Sequence, residues 1–171
     1  MALGNKKKDK PITISKTEYG KTVLSYIVTR HGNNFDNLLK DIGKEKCSSD
    51  YLIYLQYMVY ISEKILESKY SSADAYEIAL ASFDGIVEYF EVDDETRITM
   101  AKHLKDWYMS LKEFIKFGIY EEKELKSLVD AFLEDINVSN GFFAHMTVFV
   151  YFSSYIIYHS SSILNNEITV V

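Results

Sequence analysis

One proline and seven glycines in 171 residues are too few breakers for the closely spaced turns of an all-β fold. A single cysteine, Cys47, excludes an internal disulfide and suits a reducing compartment. No Cys/His cluster has zinc-site spacing, and neither a glycine-rich phosphate loop nor a Gly-x-Ser-x-Gly nucleophile turn occurs. Basic residues are outnumbered, 19 Lys and Arg against 25 Asp and Glu, for a net charge of -6. That balance gives no general attraction to phosphate backbones or anionic lipid, so a nucleic-acid partner is not expected. No signal-peptide apolar run opens the chain, and the expected location is the cytoplasm.

The longest absence lies between Ile136 and Asn166, where thirty-one consecutive residues include no Asp, Glu, Lys or Arg. About twenty apolar residues suffice to cross a bilayer. Here His145, Thr147, Ser153, Ser154 and His159 interrupt the run, and no Lys or Arg anchors flank it. A central helix of 142–164 buried by its neighbours is the favoured reading. A membrane anchor and an oligomer interface are the others.

What is abundant is aromatic and apolar side chain, including fourteen Tyr and ten Phe, which rules out disorder for the bulk of the chain. The expected fold is all-α: a flexible basic tail over 1–14 carrying Lys6, Lys7, Lys8 and Lys10, then a single domain over 15–171. Six to seven helices would form a bundle around the hydrophobic C-terminal helix. Ser15 and Glu18 have capping-box spacing at a helix start, and Gly32 reads as that helix's stop, with a short helix over 33–42 following. Tyr51, Tyr54, Tyr57 and Tyr60 recur every three residues and so wind around a helix instead of sharing one face, which implies burial on most sides. From Ser62 to Lys69 the pattern turns amphipathic, with Glu63, Lys64 and Glu67 opposite Ile65 and Leu66. Ser71 and Asp74 mark another start, Asp93 to Glu95 a third, with helix to about Gly118. Glu121 to Asn137 is the cleanest amphipathic helix.

Candidate chemistry is sparse. His145 and His159 lie roughly 21 Å apart along a helix and cannot share an ion. Each reads as a core or rim histidine bonded to a tyrosine or a carbonyl. His103 and Asp106, at i and i+3, are the weak metal candidate, with His145 as a third ligand. The stretch Arg97-Ile-Thr-Met-Ala-Lys-His103 resembles the arginine and histidine spacing of HEPN-type ribonucleases, though Ile98 stands where that pattern has a polar residue. The resemblance covers seven residues and implies Arg97 and His103 acting on RNA at a dimer cleft. Without it, Arg97 pairs with Asp93 or Asp94. No cofactor is expected, although His103 with Trp107 and Tyr108 is the arrangement a cofactor pocket would use. The favoured function is a non-enzymatic interaction protein, a regulator or immunity-type inhibitor, receiving a partner helix in an apolar groove or pairing with itself. Its candidate binding residues are Tyr51, Tyr54, Tyr57, Trp107 and Tyr108.

Overall fold

The computed structural model describes residues 12–110, 115–116, 119–139, 141–166 and 168–171, and gives only the backbone of 48, 103–110 and 116. The lysines of the expected tail therefore lie outside the described residues, as do Leu111, Phe114 and Gly118 of the helix expected from Asp93. Six α-helices and four short strands follow one another: β1 (Ile12–Ile14), α1 (Lys16–Asp41), α2 (Ser48–Leu66), α3 (Ser72–Tyr89), α4 (Asp94–Ser110), β2 (Ile115–Lys116), β3 (Ile119–Tyr120), α5 (Glu122–Asp135), α6 (Phe142–Asn165) and β4 (Ile168–Val170). The chain is thus mostly helical, as its shortage of breakers implies. β1 pairs in parallel with β4, and β2 pairs antiparallel with β3 where helix was expected to continue toward Gly118. Of the expected tail, residues 12–14 form β1.

Helix starts agree with the capping chemistry. Ser15 accepts from the Glu18 amide while Glu18 accepts from the Ser15 amide. Ser71 accepts from the Asp74 amide and Asp93 from that of Thr96. Each satisfies an orphan donor of a first helical turn.

Gly32 does not stop α1. The buried stripe Val23, Ile27, His31, Phe35 and Leu38 runs straight through it, and packing of that face outweighs the roughly 1 kcal/mol that glycine costs inside a helix. The stop comes at Gly43, whose φ of +73° is open to glycine, with the Lys44 amide bonding back to the Leu39 carbonyl.

α2 holds the interior. Residues 54–66 are all buried, so the winding of its tyrosines has the expected consequence for Tyr54, Tyr57 and Tyr60. It also overturns the amphipathic reading of 62–69, because Glu63 and Lys64 are buried with Ile65 and Leu66. α3 packs on α1 and α2, and α5 on α6 and α2. The succession of buried, half-buried and exposed positions over 71–86 repeats residue for residue over 121–136, so both helices offer the same kind of stripe.

α1 and α3 approach closely at Gly20. A Cβ there would sit 2.6 Å from both the Ala81 Cβ and the Ile78 carbonyl oxygen, and the Ser82 hydroxyl donates to the Gly20 carbonyl at 2.8 Å. Neither obstacle can rotate away. Overpacking of this kind costs about 1–3 kcal/mol, and alanine's helix propensity returns about 1. Gly20→Ala is expected to lower the unfolding free energy by up to about 2 kcal/mol net in urea titration. Gly85→Ala meets only the mobile tip of Leu24, at 2.8 Å, and is expected to be neutral or slightly stabilising in the same measurement.

Candidate functional site

Placement of the expected site residues divides them sharply. Tyr54 and Tyr57 are core residues, and the Tyr57 hydroxyl donates to Asp135 at 2.7 Å, so neither is free to meet a partner. Tyr51 is half-buried between Phe35 and Phe90. The side chains of His103, Asp106, Trp107 and Tyr108 lie outside the described residues. Arg97 does not pair with Asp93 or Asp94; its guanidinium reaches across to Asp84 on α3, at 3.2 Å. Asp93 is occupied by capping α4, which leaves the arginine to turn to the neighbouring helix. His145 bonds Asp130 of α5 at 3.2 Å, and among the described residues no three His, Cys, Asp or Glu side chains are grouped to hold a metal ion.

The second histidine of α6 has no hydrogen bond of the expected kind. His159 is 3% exposed, both of its ring nitrogens lack a partner, and it stacks on Tyr26 and Tyr155 with ring centroids 4.7 and 5.1 Å away. His31 closes the ring of four, 5.5 Å from Tyr26 and 4.6 Å from Tyr155. Asn34 lies 3.2 Å from the His31 Nδ1; with the amide donating, the imidazole hydrogen sits on Nε2, which has no acceptor. The Ser62 hydroxyl donates to the Met58 carbonyl, so the 2.6 Å contact between Ser62 and Tyr155 is donated by the tyrosine. Burial, and then the neighbouring His31, hold His159 down to about 3, and burial with Arg30 lowers His31 too. Beside this cluster is a small cleft of about 270 Å³ lined by His31, Asn34, Tyr151 and Ser154.

On the far side of α2, burial drives Glu63 up to about 8. Lys64 lies 3.8 Å from it and is shared with Glu67 at 3.1 Å.

Among the described residues, two surfaces combine exposure with apolar character. An apolar groove of about 470 Å³ runs between α1 and α3, floored by Leu24, Val28 and Gly85 and continued by exposed Tyr89. The second surface is the outer side of α6. Seven of the fourteen exposed large hydrophobic residues among the described ones lie on this helix: Phe142, Phe143, Met146, Val150, Ile157, Tyr158 and Leu164. The helix expected to be the covered axis of the fold is thus covered on one side only, and α2 has that role. Periodicity gave no hint of this, because a helix apolar all round has no polar face to mark its outer side. Among the described residues no helix is long and apolar enough to cross a membrane. Comparison with known proteins returns no matching family model, no similar curated protein and no similar solved structure.

The two buried acid-base groups set opposite pH slopes. His159 is neutral in the folded chain down to about pH 3 but protonates near 6.5 when unfolded, so stability rises with pH across that window by about 1.4 kcal/mol per unit. Glu63 is protonated in the folded chain up to about pH 8 but ionises near 4.5 when unfolded, so stability falls with pH across its window at a similar slope. The slopes cancel between 4.5 and 6.5, and His31 tilts the plateau upward. Maximum stability is therefore expected near pH 6.5, with a fall on either side. In denaturation series at fixed pH, Glu63→Gln should flatten the alkaline fall and His159→Phe the acid one.

Proposed function

We propose that the protein is a non-enzymatic interaction protein, a regulator or immunity-type inhibitor working in the cytoplasm. Its helices form a bundle that presents the outer face of α6 as the docking surface. One observation carries this reading: among the described residues, half of the exposed large hydrophobic ones gather on a helix with no Asp, Glu, Lys or Arg. Monomeric soluble proteins rarely leave apolar patches of several hundred Å² open unless something binds there. Scattered exposed apolar residues need no such account, but these recur along the whole length of one element.

Affinity capture from cell extract tests the reading with three baits. Wild-type protein and Tyr89→Ala, which alters only the α1/α3 groove, are expected to retain the same partner, and the double substitution Val150→Glu with Ile157→Glu to lose it. Equal capture by the wild type and the double variant, at equal thermal stability, would sink the assignment to α6.

A further inference from the structure

We propose that the occupant of the outer face of α6 is a second copy of this chain, docked antiparallel about a two-fold axis that passes beside Ser153 and Ser154. The proposal rests on the reading of α6 as a docking surface and commits that surface to self-association.

The first argument is spacing. A two-fold interface must be complementary to itself, with residue i of one copy meeting residue j of the other and j meeting i. Along the middle of the outward face of α6, flanked by exposed Phe142 and Tyr158, one row follows steps of three and four: Phe143, Met146, Val150, half-buried Ser153 or Ser154, Ile157, Ser161 and Leu164. They are palindromic about the point between Ser153 and Ser154. In an antiparallel pair Phe143 falls opposite Leu164 of the second copy, Met146 opposite Ser161, and Val150 opposite Ile157. The serines meet at the centre, where small side chains allow close approach. On either side of that centre the pairs are apolar against apolar or apolar against small. A head-to-head parallel pair would instead put the two Phe143 rings on each other at one end and the two Leu164 side chains at the other.

Charge is the second argument. The chain carries a net charge of -6, so two copies repel over most of their surfaces. α6 has no Asp, Glu, Lys or Arg over its twenty-four residues, so it is the face on which copies can meet without desolvating like charges. A partner chosen by charge would find nothing to read there. Lipid is a poor fit too, because helices that lie in a membrane surface carry Lys and Arg along their polar side, and this one has none.

Size is the third. α6 is about 36 Å long. Its exposed apolar residues include two phenylalanines, 85% and 70% exposed, and a tyrosine at 68%. Seven such side chains form a patch on the order of the 800 Å² per partner that stable pairs bury.

Light scattering on the full chain across the micromolar range is expected to give twice the chain mass. Val150→Glu with Ile157→Glu should give the single chain mass with unchanged helical circular dichroism and a thermal midpoint that does not depend on protein concentration. Orientation is read by oxidation in a Cys47→Ser background. A mixture of Val150→Cys and Ile157→Cys chains should form a linked pair containing one of each, and neither alone should link to itself. A wild-type protein that stays at single mass overturns the proposal, as does a dimer that survives the double glutamate substitution. Self-linking of Val150→Cys overturns the antiparallel axis. Wild-type protein that pellets with phosphatidylglycerol or phosphatidylcholine vesicles instead of dimerising assigns the face to lipid and likewise overturns it. A monomer that still captures a different protein through α6 overturns self-association alone and leaves the docking reading standing.

Discussion

Taking residues 54–66 of α2 out of water on every side obliges the surrounding helices to answer each polar group that goes in with them. A buried polar group left unpaired costs about 1–3 kcal/mol, comparable with a sizeable part of a domain's whole stability. The pairs that result are specific. Tyr57 reaches Asp135 at the end of α5, and Ser62 accepts from Tyr155 on α6. Each joins α2 to a helix far along the chain, so the polar groups of α2 fix the positions along it at which α5 and α6 pack, while its apolar ones supply the driving force. Glu63 is the exception. Burial disfavours its charge and Lys64 is shared with Glu67, so part of this cost stays in the folded protein as a pH dependence.

α6 shows the complementary situation. Having no charge, it cannot supply its own end with the cation that the negative pole of a helix favours. Lys69, just beyond α2, provides it, donating to the carbonyls of Ile163 at 2.9 Å and of Asn166. Asp41 accepts from Tyr151 and Asp130 pairs with His145. These polar partners reach α6 from α1, α5 and the segment after α2, while the stripe from Phe143 to Leu164 carries no charge and is mostly exposed. The helix is therefore half core and half surface, and the surface half has the composition of a core.

Much of this was legible in the residues. Ser15, Ser71 and Asp93 announced their helices because capping is local chemistry, read within four positions. The drift of the α2 tyrosines announced their burial because it follows from helix geometry alone. Gly32 misled, since glycine permits an end without requiring one, and only the continuous stripe from Val23 to Leu38 decides the matter. Glu63 and Lys64 misled for a related reason: their spacing beside Ile65 is amphipathic, and what buries them comes from other parts of the chain. β1 was not legible at all, because its partner strand lies more than 150 residues away. The α6 surface was hidden most completely. Uniform hydrophobicity reveals that a helix must be covered somewhere, but not on which side.

That side is chosen by the four rings. Tyr155 and His159 project inward from α6 and are held between Tyr26 and His31 of α1, where stacked and edge-on contacts leave few alternative rotamers. Turning α6 by a single residue would rotate it by about 100° and pull both rings out of the cluster. The inward anchors therefore set the outward direction of Val150 and Ile157. A surface presented by a helix locked in this way loses little further freedom when it docks, so more of the apolar contact energy is available for association. The same geometry explains why incompletely hydrogen-bonded histidines are tolerable in the interior. Neutral imidazoles serve here as flat packing elements, and their missing hydrogen bonds are a cost that the stacking and the burial of α6 offset together.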